Sequence, residues 1–304
     1  MTVSNRFWDL TRYLAAVTSL ALSLLCLPAP SFATAILTAD LASFAVLGAA
    51  GVTNVPTSTI GGNLGSAPAA AVGGGYVFTA GSLQANTALA AQAELDLDAA
   101  ILSVNAFLPD FTVTNGDLIA FQSSQVGDVV SPGTYAVGAA SANIGPGGTL
   151  VLDGGGSNTA QWYFQLSSTL ITSTTANVIV QNVGDGAGVG VYWTVGSAAT
   201  LNGPMFVGNV LANDLISSDG DLTLGCGRLL SATAQVTLIM DTISVGCAGG
   251  YESSGGFSGG TVGTGGIGGN VTDTATVPEP GTLVLLGSGL VAAAGWMKRR
   301  RQIK

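Results

Sequence analysis

The amino-acid sequence predicts an all-β body with one long helix, its short strands stacked as the rungs of a β-solenoid. Three observations carry that prediction. Runs of Val, Ile, Leu, Thr and aromatic residues are short and are separated by Gly, Asn and Asp turns. Several runs repeat: Tyr163-Phe-Gln-Leu-Ser-Ser168 matches Tyr192-Trp-Thr-Val-Gly-Ser197, Leu150-Val-Leu-Asp153 resembles Val178-Ile-Val-Gln181, and Gly208-Asn-Val-Leu-Ala212 echoes Gly227-Arg-Leu-Leu-Ser231. Offsets of about twenty to thirty residues are those of stacked coils, whereas a two-sheet sandwich gives no such repetition. The third observation is that a single stretch has a helical period.

In chain order, Arg6 and Arg12 precede an apolar run from Leu14 to Leu27, and Pro28-Ala-Pro-Ser-Phe-Ala33 places small residues where a signal peptidase reads. Residues 1–33 are therefore expected to be a removed signal peptide. Residues 34–248 have the size of one domain. Within them, Ser82 to Asn105 is rich in Ala and Leu and free of Gly and Pro. It predicts a helix over about 82–106 with Ser82 as N-cap, ended before Pro109. Leu83, Ala90, Leu97, Ile101, Val104 and Leu108 recur on one face while Gln92, Glu94 and Asp98 lie on the other, so the helix should rest along the side of the body. Between the later strands, Gly145-Pro-Gly-Gly148, Asp153-Gly-Gly-Gly156 and Gly184-Asp-Gly-Ala-Gly188 read as corners of successive coils. Each coil offers one short strand per face with alternate side chains pointing inward, so it completes its packing only against neighbours above and below.

Residues 249–276 are Gly, Ser and Thr with few apolar side chains, too few to build a core, and read as a tether. The end of the chain is Val277-Pro-Glu-Pro-Gly281, an apolar run from Thr282 to Met297, and Lys298-Arg-Arg-Arg301. Such a run is near the length that crosses a bilayer, and the basic cluster holds its end on the cytoplasmic side. Pro278, Glu279 and Pro280 ahead of that run and of Arg299, Arg300 and Arg301 resemble the PEP-CTERM sorting signal. That resemblance implies cleavage near the triplet by an exosortase-type transpeptidase, with membrane anchorage before cleavage.

Composition narrows the function. The chain has no His, and between residues 34 and 276 its only base is Arg228. Nucleic acid is excluded as a partner, because phosphate binding needs several Lys or Arg. Ser-His and Cys-His nucleophile pairs and imidazole metal sites are excluded as well. No catalytic residues, metal or cofactor are expected. A lyase-type solenoid enzyme would depend on Arg228 for its one basic group, and Asp219-Gly-Asp221 and Asp153-Gly read as turns before they read as calcium ligands. Cys226 and Cys247, exported to an oxidising compartment, are expected to bond to each other.

Several further motifs occur in order: Ala42-Ser-Phe-Ala-Val-Leu-Gly48, Val52-Thr-Asn54, Thr59-Ile-Gly-Gly-Asn-Leu-Gly65, the helix with Ala90-Ala-Gln-Ala93, Val191 to Leu201, Phe206 to Ala212 and Gly227-Arg-Leu-Leu230. Together they resemble the microbial ice-binding-like family. The resemblance implies a discontinuous, right-handed-type β-solenoid of triangular section, its first coils packed beside its last and its helix along one side. It also implies adsorption to ice or ordered water through one flat face, without turnover. Strands about 4.7–4.9 Å apart, with same-face residues about twice 3.3 Å apart, make outward Thr, Ser and Ala a two-dimensional array. Threonine suits it because a branched Cβ leaves few rotamers to freeze. Outward positions chosen by the inward look of Ile60, Leu201, Ile216, Val236 and Leu238 are Thr57, Thr59, Thr172, Thr174, Thr200, Ser217 and Thr237. The alternative is a structural or adhesive protein of the extracellular matrix that binds exopolysaccharide. That reading needs Trp162, Trp193 and Tyr135 outside the tube as sugar platforms.

Overall fold

The structure is a computed structural model that describes residues 36–138, 140–183 and 188–246. The expected signal peptide, tether and sorting segment, and Cys247, lie outside the described residues. Among the described residues no helix is long and apolar enough to cross a membrane. In chain order the first elements are α1 (Ala39–Ala42), β1 (Phe44–Gly48), β2 (Gly51–Gly61), β3 (Asn63–Ser66), β4 (Val72–Ala80), β5 (Leu83–Ala85), α2 (Ala88–Asn105), β6 (Phe111–Val113) and α3 (Leu118–Gln122). Then follow β7 (Gly133–Val137), β8 (Ser141–Ile144), β9 (Thr149–Asp153), β10 (Gln161–Leu166), β11 (Thr169–Thr172), β12 (Asn177–Gln181) and β13 (Gly190–Val195). The last are β14 (Ala199–Leu201), β15 (Met205–Ala212), β16 (Ile216–Ser218), β17 (Thr223–Ser231), β18 (Gln235–Leu238) and β19 (Thr242–Ser244).

Every strand pairing among the described residues is parallel, and the strands fall into three ladders, one per face of the solenoid. The helix face runs β6, β7, β10, β13, the end of β15, the end of β17, β1, β3 and β5. A second face runs β8, β11, β14, β16, β18, and the starts of β2 and β4. The third runs β9, β12, the starts of β15 and β17, β19, and the ends of β2 and β4. The repeats seen in the sequence are neighbouring rungs in register: Phe164 lies beside Trp193, Leu150 beside Val178, and Asn209 beside Arg228.

The order of rungs departs from the order of the chain. β1 pairs with β17, and β2 pairs with both β18 and β19, so the rungs built from residues 44–85 stack beyond the last C-terminal rung. The chain then passes through α2 to start again at the opposite end.

Inward residues explain why the rungs hold together. Tyr135, Phe164 and Trp193 stack inside the tube with ring centroids 5.1 and 3.9 Å apart, and Trp193 also meets Phe206 at 5.2 Å. The indole N–H groups of Trp162 and Trp193 donate to the carbonyls of Val130 and Val207, each at 3.0 Å, so neither polar atom is stranded. Where β15 turns from the third face to the helix face, Gly208 has φ +106°, and a Cβ there would lie 2.7 Å from Val191 Cγ1.

Helix α2 begins later than the expected Ser82. Leu83–Ala85 instead adds a rung to β3, and the Thr87 hydroxyl caps the helix by accepting from the Ala90 N–H at 3.2 Å. Its inner side buries Ala90, Ala93, Leu97, Ala100, Ile101 and Val104 against Phe44, Leu47, Tyr192, Leu211 and Leu230. Below α1, the guanidinium of Arg228 is 1 % exposed; it donates from Nε and Nη2 to Ala42 O at 3.0 and 2.6 Å and from Nη1 to Asn209 Oδ1 at 2.8 Å. The one base of the body therefore fastens the chain to itself and faces no solvent.

Candidate functional site

The second face keeps one register from β8 through β18 to the start of β2. Its inward residues Ala142, Leu170, Ala199, Ile216, Val236 and Val52 are all buried, which turns their neighbours outward. One outward column follows from the register: Asn143, Ile171, Thr200, Ser217, Thr237 and Thr53, each beside the next on consecutive rungs. Four hydroxyls are thus consecutive. Thr53 Oγ1 donates to Thr237 Oγ1 at 3.2 Å, Ser217 Oγ donates to Thr200 Oγ1 at 3.5 Å, and the Gln235 amide reaches Thr237 Oγ1 at 3.5 Å. The strands that build the column, from β8 through β18, contain no charged residue.

Behind the column, buried polar groups hold the corners. Asp241 is 1 % exposed; its carboxylate accepts from the Leu222 and Ile239 N–H groups at 3.1 and 3.0 Å and from the Ser218 hydroxyl. Burial pushes its carboxyl above the usual range. The Ser58 hydroxyl donates to Asn54 Oδ1 at 2.8 Å and accepts from the Asp241 N–H at 2.9 Å, which ties β2 to the turn after β18. These bonds fix the corner at which the chain leaves the second face for the third.

The structure brings together three of the residues expected from the sequence, Thr200, Ser217 and Thr237. Thr172 is a correction: it is 2 % exposed and points inward, because Leu170 and Thr172 share a side of β11 and Ile171 takes the outward place. Its hydroxyl accepts from the Asn202 and Gly203 N–H groups at 2.9 and 3.1 Å. Thr174 is exposed in the turn after β11. Thr57 and Thr59 follow a bend in β2 and join the third face, where Thr59 lies between Thr242 and Val77. That face has its own hydroxyl column, Thr223, Thr242 and Thr59, but β12 meets β15 there through one residue pair only, Asn177 with Met205. Thr53 was missed by sequence reasoning; its signal is Val52, whose inward place sends the next side chain out.

The other expectations can be placed as well. Trp162, Trp193 and Tyr135 are at most 1 % exposed, so none is a platform outside the tube. Cys226 is disulfide-bonded, and Cys247 lies outside the described residues. Asp153 makes a turn, accepting from the Gly155 N–H at 2.8 Å and from the side-chain amides of Gln181 and Asn182 at 2.7 and 2.6 Å. These bonds hold its carboxyl below the usual range against the opposing effect of burial.

A three-sided parallel solenoid with an uncharged, register-true column of hydroxyls defines a class of proteins that present an ordered surface. The chain belongs to the ice-binding-like family, whose model matches residues 46–244. Residues 276–301 match the PEP-CTERM protein-sorting motif. An ice-binding protein from Nostoc sp. (strain HG1) is 30 % identical over 261 residues, covering 85 % of each chain. Among solved structures, an ice-binding protein of the Antarctic ascomycete Antarctomyces psychrotrophicus aligns with TM-score 0.56 and 28 % identity, over 68 % of this chain and 97 % of its own. One from an Antarctic biological consortium aligns with TM-score 0.58 and 26 % identity, over 72 % and 95 %. Membership of this family points to a non-catalytic protein.

Proposed function

We propose that this is an exported, surface-displayed protein that adsorbs to ice or to ordered water through the second face of its solenoid. The observation that carries the reading is the run Thr200, Ser217, Thr237 and Thr53 on four consecutive rungs without a charge among them. Hydroxyls held at strand spacing on a stiff sheet anchor water in a lattice, and the branched Cβ of threonine limits what each hydroxyl does. Family membership and the named relatives support the ligand, and the PEP-CTERM motif supports export and sorting to the surface.

In this reading signal peptidase removes residues 1–33, residues 34–248 form the adsorbing body, 249–276 are its tether, and exosortase acts near Pro278 to Pro280 after the helix of 277–304 has anchored the chain in the membrane. Anchorage is transient or permanent according to that cleavage. The matrix reading, with exopolysaccharide as partner, has to find a surface other than the three buried aromatics.

Ice-affinity partition and thermal hysteresis on purified residues 34–248 test the proposal. The wild type enters the ice, Thr200→Tyr stays in the liquid because a bulky ring breaks the plane, and Thr59→Tyr on the third face enters as the wild type does. A wild type that remains in the liquid hands the function to the matrix reading, and equal entry of both variants removes the second face from it.

A further inference from the structure

An Asn-Gly pair can modify itself, because the glycine has no side chain to keep its backbone nitrogen from closing a ring with the asparagine side chain. The sequence holds two such pairs, Asn115-Gly116 and Asn202-Gly203. The fold treats them in opposite ways. At Asn202-Gly203 the buried Thr172 hydroxyl accepts from both N–H groups, at 2.9 and 3.1 Å. Gly203 is also wedged against the neighbouring rung, since a Cβ there would lie 2.1 Å from Ala176 O. The peptide between the two residues turns towards the Asn202 side chain only by giving up the bond from Gly203.

Asn115-Gly116 lies in the turn between β6 and α3, and Asn115 is exposed. Gly116 has φ +72°. Among the described residues no hydrogen bond engages its N–H, whereas its carbonyl accepts from the Asn143 N–H at 2.7 Å. Asn115 Oδ1 accepts from the Asp117 N–H at 3.2 Å, which curls the side chain over the peptide that Gly116 nitrogen belongs to.

We propose that Asn115 is a site of self-modification, at which the Gly116 nitrogen attacks the Asn115 side-chain amide. The nitrogen gives its proton to solvent base and bonds to Cγ. The bond from Cγ to Nδ2 breaks, and Nδ2 takes a proton from solvent and leaves as ammonia. Water then opens the ring at either carbonyl, giving aspartate or isoaspartate. The Asp117 N–H stabilises the charge that develops on Oδ1 during the attack. Isoaspartate routes the backbone through the side chain and lengthens it by a methylene. Gly116 O and Asp117 then lose their register with Asn143, the first residue of the outward column on the second face, and the Asn143 N–H is released. The reaction needs only water and time, so it records the age of a chain at one end of that column.

Hydroxylamine, which attacks the ring and cuts the chain there, tests this on the folded full-length protein. The cut after Asn115 should be at least about tenfold faster than the cut after Asn202, the factor that one well-made hydrogen bond is worth. Asn115→Gln should abolish the fast cut and leave the slow one. In concentrated urea both pairs should be cut alike, since the fold and not the local sequence sets them apart. After incubation of the wild type in mild alkali, peptide mass mapping should place the amide-to-acid change on the peptide with Asn115, together with faster amide exchange at Asn143. Equal cutting of the two pairs in the folded chain, faster cutting after Asn202, or an Asn115 that stays intact while the unfolded chain is cut overturns the proposal. The wild type carries the comparison, so the folding of a variant does not decide it.

Discussion

Ser217 donates its hydroxyl proton to Thr200 Oγ1 at 3.5 Å from the neighbouring rung, although the two residues are separated by a full coil of sequence. The next hydroxyl link in the column joins Thr53 to Thr237 at 3.2 Å. Side-chain bonds of this kind do little for stability on an exposed sheet, but they align the oxygens of successive rungs along one line.

Ile171 interrupts that line on the Asn143 side and is 41 % exposed. Ile171→Thr should extend the column to five hydroxyls and raise thermal hysteresis above wild type, while changing stability by no more than about 0.5 kcal/mol, as for other surface positions. Parallel hysteresis and urea-denaturation measurements check both halves.

The aromatic stack gives a prediction about stability alone. Trp193 lies 3.9 Å from Phe164, centroid to centroid, and its N–H satisfies the Val207 carbonyl. Trp193→Ala should cost about 3–5 kcal/mol in chemical denaturation. Trp193→Phe keeps most of the packing and gives up the indole bond, so it should cost less.

Arg228 is a test of geometry at constant charge. Its three donors serve Ala42 O and Asn209 Oδ1, a fork that an ammonium does not reproduce. Arg228→Lys should destabilise the chain by about 1.5–3 kcal/mol, the range for bonds to a charged group, and free α1 to exchange its amide protons faster. Denaturation and hydrogen exchange report the two effects.

Glu94 gives the chain a pH dependence. Its carboxyl oxygens are buried without a hydrogen-bond partner, and burial first, then the neighbouring Asp98, raise its pKa from 4.5 to about 8. Between those values the folded chain keeps a proton that the unfolded chain has released, so stability falls as pH rises through that window. The melting temperature should drop between pH 5 and pH 8, by about 2–4 °C for each kcal/mol lost. Glu94→Gln, which does not ionise, should flatten the profile.

Much of the fold was legible because a solenoid writes the same constraint in every coil. Phe164 beside Trp193 and Asn209 beside Arg228 are visible as repeats before any coordinate is known. The site was legible only in part. Alternation with the inward Leu201, Ile216, Val236 and Leu238 set Thr200, Ser217 and Thr237 outward, as the strands have them, but in β11 the strand's phase sets Thr172 inward and its hydroxyl is satisfied there. Which face a strand joins depends on where its corner falls, and β2 bends between Thr53 and Thr57 with no glycine to announce it. Ser82 and Thr87 are both plausible caps locally; the choice was made by β3, which recruits Leu83–Ala85 as another rung.

Thr53 and Thr237 meet although 184 residues separate them. A ribosome has therefore finished one half of this contact long before it makes the other, and the early segment must wait, with its strands unmatched, for the late one. Contacts of such long sequence separation slow folding. They also mean that a message broken before Gln235 yields a polypeptide whose row of hydroxyls is split in two, so that only a completed chain offers the whole array to the outside.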